Sequence, residues 1–208
     1  MNLYVGHSLD TKEEIRLPLS EVGNILIAGC TGTGKSIYLH MMLKRLFAEY
    51  DPESLKLLVF DVKRVEFHRL KRDPHLLRPI ALDYQDFEEQ IAFLEGMMGR
   101  RKESDPPILF IIDEFSDAYY HDKSIVKPIE QLMEAGPENG IHLILATQVP
   151  SSYSEKMLNL STKMSFGQFA KDSRMFIGSK ESEGLEQGEA IIVMKDGLQR
   201  KVRVVYEK

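Results

Sequence analysis

Asn24-Ile25-Leu26-Ile27-Ala28-Gly29-Cys30-Thr31-Gly32-Thr33-Gly34-Lys35-Ser36 decides the fold. A strand-length apolar run enters G-x-x-x-x-G-K-[ST], and residues 35–50 follow with Leu39, Met42, Leu43 and Leu46 on one face at helical spacing. Strand, glycine-rich loop and helix together are the context in which this motif cradles phosphate. Glycines let backbone N–H groups converge on the anion, and the helix presents its positive N-terminal end to it. The nucleotide-binding residues are therefore Gly29, Cys30, Thr31, Gly32, Thr33, Gly34, Lys35, Ser36 and Ile37. Lys35 is expected to reach the β- and γ-phosphates of ATP and Ser36 to place its hydroxyl on Mg2+. Cys30 reads as a small spacer within the loop.

Outward from that loop, Lys56–Phe60, Ile108–Ile112 and residues 141–146 are continuous apolar runs that do not alternate, the mark of strands buried on both faces. Residues 85–101 carry Phe87, Ile91, Leu94 and Met98 at helical spacing. Asp-Pro pairs and the Gly136-Pro137-Glu138-Asn139-Gly140 stretch punctuate the alternation. The expected class is α/β with a doubly wound, mainly parallel sheet, in one domain over residues 1–208. After Pro150 come a helix-like 153–160, a strand-like 163–168, a short segment at 172–177 and strands at 190–195 and 201–205. Asp196-Gly197 between the last two predicts a C-terminal β-hairpin.

Two of the buried runs end in chemistry. Ile108–Ile112 delivers Asp113 and Glu114 to the C-terminal edge of a strand, where ligands of open α/β sheets bind. In that position the first acid serves the Mg2+ and the second can take a proton from water, so Asp113 is read as the metal ligand and Glu114 as the base. The run at 141–146 ends in Thr147-Gln148, where Gln148 either senses the γ-phosphate or orients water, or caps the next segment.

The balance of 27 Lys and Arg against 32 Asp and Glu leaves a net charge of −5, which disfavours a generic nucleic-acid binder and confines any DNA contact to local loops. One cysteine excludes an internal disulfide and suits a reducing, cytoplasmic setting. No apolar run has membrane-spanning length, and the N-terminus has no secretory pattern. No N-K-x-D motif points to guanine, and no arginine-rich lid points to a small-molecule kinase.

Beyond the phosphate loop, Phe60-Asp61-Val62-Lys63 with Val65-Glu66-Phe67, Ile111-Ile112-Asp113-Glu114-Phe115, Gly140-Ile141-His142-Leu143-Ile144-Leu145-Ala146-Thr147-Gln148, Asp172-Ser173-Arg174 and Gly188-Glu189-Ala190 occur in order. In these pieces the chain resembles the FtsK/SpoIIIE family of DNA-translocating ATPases, within the FtsK–HerA group. The likeness runs from about Gly6 to the C-terminus. It implies a RecA-like motor domain forming a hexameric ring around double-stranded DNA, with Gln148 as γ-phosphate sensor and Arg174 as the arginine offered to a neighbour's site. Lys63 and Arg64 are alternates for that arginine. It also places DNA contacts on loops facing a pore, here Lys63, Arg64 and Arg69, and residues 151–156 with Lys156.

Departures accompany the matches. Val149 stands where arginine usually follows A-T-Q, Val62 where proline is usual, and Pro137-Glu138-Asn139 where an arginine precedes G-I-H. With no membrane anchor, long linker or DNA-reading module expected, the chain reads as a motor core suited to a plasmid, phage or other mobile element, in transfer, packaging or segregation. The partner that recruits it is not named by any motif. The alternative is an ATP-dependent oligomerisation switch or recruitment module that does not translocate.

Overall fold

Buried, continuous apolar runs become strands in the places their sequences require. The computed structural model describes residues 1–205; residues 206–208, the last of the span read as one domain, lie outside the described residues. Among the described residues the strands are β1 (Asn2–Ser8), β2 (Glu14–Pro18), β3 (Asn24–Ala28), β4 (Lys56–Phe60), β5 (Ile108–Ile112), β6 (Ile141–Thr147), β7 (Ser161–Phe166), β8 (Glu189–Val193) and β9 (Gln199–Arg203). The helices are α1 (Leu19–Val22), α2 (Lys35–Glu49), α3 (Tyr84–Met97), α4 (Phe115–His121), α5 (Val126–Ala135), α6 (Glu155–Asn159) and α7 (Ala170–Ile177). The class is mixed α/β. The chain forms two compact units, one of Met1–Glu49 with the chain from Ala146 onward, the other of Tyr50–Leu145, and the division falls within β6.

In the first unit β3 and β7 run parallel, from Asn24 opposite Ser161 to Ala28 opposite Ser165. Every residue of β3 is buried, as expected of a strand covered on both faces. Antiparallel strands continue from β7 through β8 and β9 to β1 and β2. The expected C-terminal hairpin is present as β8–β9, with Val193 opposite Gln199. Its loop is longer than the Asp-Gly pair alone. Met194 N–H donates to Leu198 O at 2.9 Å, Gly197 adopts φ +87°, and the Asp196 carboxylate accepts from Leu198 N–H. The β1–β2 hairpin was not expected from the sequence, because its polar, part-exposed β2 carries no apolar run. Helix α2 buries Tyr38, Leu39, Met41, Met42, Leu43 and Leu46, which include all four of the face residues expected. Tyr38 meets Phe166 of β7 with ring centroids 6.2 Å apart. The Arg45 guanidinium lies over the Tyr4 ring of β1, 4.9 Å from its centroid.

In the second unit β4, β5 and β6 are parallel in the order β6-β5-β4. All five residues of β5 are fully buried. The outer edge of β4 is covered by an extended segment, with Leu57 N–H bonded to His75 O, Leu77 N–H to Leu57 O and Ala81 N–H to Val59 O. Unpaired edge groups are satisfied this way without another strand. Helix α3 starts one residue before the expected position, capped by the Asp83 side chain accepting from Asp86 N–H at 2.9 Å. It ends at Met97, earlier than expected, and Met98 serves as its C-cap. Its apolar face stacks on the sheet: Phe87 lies 4.1 Å from Phe60 of β4 and 5.9 Å from Phe110 of β5, centroid to centroid.

That aromatic stack is the main fastening of α3. Phe87→Ala is expected to destabilise the protein by about 3–5 kcal/mol, while Glu88→Ala on the exposed side of the same helix stays within about 0.5 kcal/mol. Equilibrium denaturation checks both, and a Phe87 variant as stable as the Glu88 variant would contradict this packing.

Candidate functional site

A backbone that must approach a phosphate chain closely cannot carry Cβ atoms where it turns. A Cβ on Gly29 would sit 2.7 Å from Phe166 Cβ and 2.9 Å from Thr33 Oγ1. Gly34 has φ +121°, and its Cβ would meet Gly188 Cα at 3.1 Å. These two glycines are steric requirements of the fold as well as openings for a ligand. The loop is held by its own unit: Cys30 N–H donates to Gly167 O at 2.8 Å just after β7, and Gly188 N–H donates to Thr33 O at 2.9 Å just before β8. Thr33 Oγ1 closes the turn onto Cys30 O at 2.8 Å. Gly167 and Gly188 were missed as parts of the loop by motif reading, since both come from distant sequence; Gly188 was noted only as part of a matching segment.

Lys35 opens α2, and its ammonium donates to Gly29 O at 2.7 Å and Cys30 O at 3.1 Å, so it already lies along the loop. Helix α2 is fifteen residues long with no acid in its first turn, leaving its positive end uncancelled. Ser36 follows in the first turn. Gln148 lies immediately after β6, exposed, and its Oε1 accepts from Thr31 Oγ1 at 2.6 Å. The glutamine is thereby tied to the phosphate loop, while Thr147 Oγ1 takes the local turn, accepting from Val149 N–H at 3.0 Å. Tyr153 Oη donates to Ile27 O at 3.0 Å, anchoring the following segment to β3. A glycine-rich cradle with an ammonium, a hydroxyl and a helix N-terminus fits a nucleotide polyphosphate.

In the second unit Asp113 and Glu114 leave β5 together. Burial, reinforced by Glu66, Asp61 and Glu114 and opposed by Lys63, pushes the Asp113 carboxyl up to about 7. A carboxyl so placed among acids is one that a hard divalent cation would return to its ionised form, which fits Mg2+. Glu114 caps α4 in the left-handed region, φ +55° and ψ +61°, at a residue type that rarely adopts it. Such a conformation costs on the order of 1–3 kcal/mol and persists only where its surroundings enforce it. The enforcing contacts are visible. Glu114 Oε1 accepts from Ser116 Oγ at 2.9 Å and Oε2 from Lys63 Nζ at 3.2 Å, with Glu114 6% exposed. Lys63 also reaches Asp117 at 3.5 Å. Burial works against the Lys63 charge, but Glu114 and Asp117 outweigh it and hold the ammonium above the usual lysine range. Ser116 and Asp117 were not singled out in the sequence; the E-x-S spacing was the available signal.

Asp61, 1% exposed, shapes the turn that carries Lys63, accepting from Val65 N–H at 3.4 Å and Phe67 N–H at 3.0 Å. Lys63, an alternate for the trans-acting arginine, is engaged within its own chain. Arg64 extends a bond of 3.4 Å to Leu82 O. Arg174 lies exposed on α7, and its guanidinium has no partner among the described residues. Arg69 and Lys156 occupy separate surface segments on different units.

The FtsK/SpoIIIE family model matches residues 3–104. The DNA translocase FtsK of Helicobacter pylori (strain J99) is 30% identical over 195 residues, covering 80% of this chain and 23% of that protein. The DNA translocase FtsK of Pseudomonas syringae pv. tomato is 27% identical over 254 residues, covering 98% of this chain and 32% of the relative. The chain thus spans about a quarter to a third of these curated relatives' length. Among solved structures, ATPases 2 and 3 of Thermomonospora curvata EccC, in complex with a signal sequence peptide, superpose with a TM-score of 0.86 at 16% identity, over 100% of this chain and 41% of that one. The pCW3 conjugation coupling protein TcpA, with ATPgS, gives 0.83 at 18% identity over 99% of this chain and 66% of that one. At such identities the structural likeness speaks to the fold, a RecA-like P-loop domain. The family model over residues 3–104, the relatives and the ordered motifs that continue past residue 104 together make the chain similar to the FtsK/SpoIIIE family of P-loop ATPases.

Proposed function

We propose that this chain is an ATP-hydrolysing motor domain that moves double-stranded DNA as a hexameric ring in the cytoplasm, in transfer, packaging or segregation. The hydrolytic part is supported within each unit by itself: in the first by a phosphate loop with Lys35 laid along it and Gln148 tied to it, and in the second by a buried Glu114 held by Ser116 and Lys63. The DNA part rests on the relatives, which are named as DNA translocases. In this reading Gly29 to Ile37 bind the nucleotide, and Lys35 neutralises the β- and γ-phosphates. Glu114 takes the proton of the attacking water and Gln148 reports the γ-phosphate. Ser36 and Asp113 hold Mg2+, which supplies charge neutralisation on the phosphoryl oxygens when bound. Arg174, whose side chain lies exposed on α7, is offered to the neighbouring subunit, where it stabilises charge in the transition state. No helix among the described residues is long and apolar enough to cross a membrane.

A second reading, an ATP-dependent oligomerisation switch, is favoured by one feature, the apolar Val149, 36% exposed beside Gln148. The two readings differ in their response to DNA. Long duplex DNA is expected to stimulate steady-state ATP hydrolysis several-fold at low salt, with stimulation falling steeply between roughly 50 and 200 mM salt. Turnover indifferent to DNA would favour the switch.

Asp113 yields a separate expectation. Its carboxyl ionises near pH 4 in the unfolded chain and at about 7 when folded, so the metal-free protein loses stability as pH rises between those values and levels off above. Asp113→Asn removes that penalty. Its stability relative to wild type is expected to grow from pH 5 to pH 8 by roughly 1–3 kcal/mol without Mg2+, measured by denaturant titration. A pH-independent difference would contradict the raised carboxyl.

A further inference from the structure

The base and the loop read as a DNA contact are physically joined. Both oxygens of the Glu114 carboxylate are engaged, one by the Ser116 hydroxyl at 2.9 Å and the other by the Lys63 ammonium at 3.2 Å. A carboxylate taking a proton from water must turn a lone pair toward that water, and an ammonium held on one oxygen fixes the direction of the group. Lys63 sits on a short turn whose base is fastened: Asp61 accepts from Val65 N–H and Phe67 N–H, Arg64 N–H donates to Asp61 O at 3.0 Å, and Phe67 is fully buried. The tip is the opposite. Arg64 is exposed with φ +60°, and Val65 is 64% exposed. Lys63 itself has a side chain 43% exposed, so an outside anion can compete for its ammonium.

We propose that Lys63 is a positioning residue that restrains Glu114 while no DNA is bound, and that a duplex phosphodiester backbone meeting the Lys63–Val65 turn draws the ammonium away and releases the base. This rests on the motor reading above and adds its coupling step. The phosphate groups supply what the ammonium loses, a negative partner, so the exposed Lys63 exchanges one ion pair for another. Release also removes the ammonium from Oε2 of Glu114. The turn carries the contact and the restraint within three residues, so a small displacement of its tip reaches the carboxylate directly.

The test compares DNA-free and DNA-saturated ATP turnover of the purified chain for wild type, Lys63→Met and Lys63→Arg. Lys63→Met keeps the aliphatic stem and removes the charge. It is expected to raise DNA-free turnover by roughly threefold or more, and to bring the stimulation ratio toward one. Lys63→Arg, which keeps the charge, is expected to stay within about twofold of wild type in both. DNA-free turnover of Lys63→Met at or below wild type overturns the restraint, as does an equal rise in Lys63→Arg. Lys63→Gln gives the same reading should the methionine variant fold poorly. If wild-type turnover ignores DNA, the motor reading fails, while the DNA-free rates still decide whether Lys63 restrains Glu114.

Discussion

The phosphate loop depends on backbone meeting backbone with no side chain between. Gly34 approaches Gly188 so closely that a Cβ would lie 3.1 Å from its Cα, and Gly29 has no room for one beside Phe166. Two hydrogen bonds, Cys30 N–H to Gly167 O and Gly188 N–H to Thr33 O, fasten the loop between the end of β7 and the start of β8. The antiparallel strands after β7 therefore have a local purpose. They return the chain to the phosphate loop and brace it, so the cradle is shaped by the sheet before any nucleotide arrives. Preorganisation of that kind is where phosphoryl-transfer enzymes find most of their catalytic effect, because the protein contributes positioning and charge more than covalent chemistry.

The acidic pair is governed by a different constraint, the expense of burying charge. Asp113 meets it by shifting its ionisation up to about 7. Glu114 meets it through partners, the Ser116 hydroxyl and the Lys63 ammonium, at the further expense of a left-handed backbone. Two adjacent acids on one strand end are thus made chemically unlike by their surroundings. Divergence of that sort is what the proposed roles, metal ligand for Asp113 and base for Glu114, require.

Much of this was legible in the sequence, for a physical reason. Strands buried on both faces leave unbroken apolar runs, so β3, β4, β5 and β6 appeared directly; Asp113, Glu114 and Gln148 sit at the ends of β5 and β6, and Lys35 opens the helix that follows the loop after β3. Helix α2 showed its buried face because its periodicity is imposed by one contact surface. What escaped was built from long-range partners or polar segments. The β1–β2 hairpin has a part-exposed second strand, the edge of β4 is covered by irregular chain, and Gly167 braces the loop from more than a hundred residues away. Lys63 was noticed as a cation in a motif, yet its place on Glu114 is a tertiary fact that no local spacing encodes.

The central claim is that the phosphate loop and Glu114 serve a single reaction, binding ATP and activating water. The most direct measurement is a single-turnover experiment on Glu114→Gln with Mg-ATP, following bound nucleotide and released phosphate separately. The account predicts ATP bound about as tightly as by wild type and phosphate release slowed by roughly a hundredfold or more. Phosphate release at the wild-type rate would contradict it.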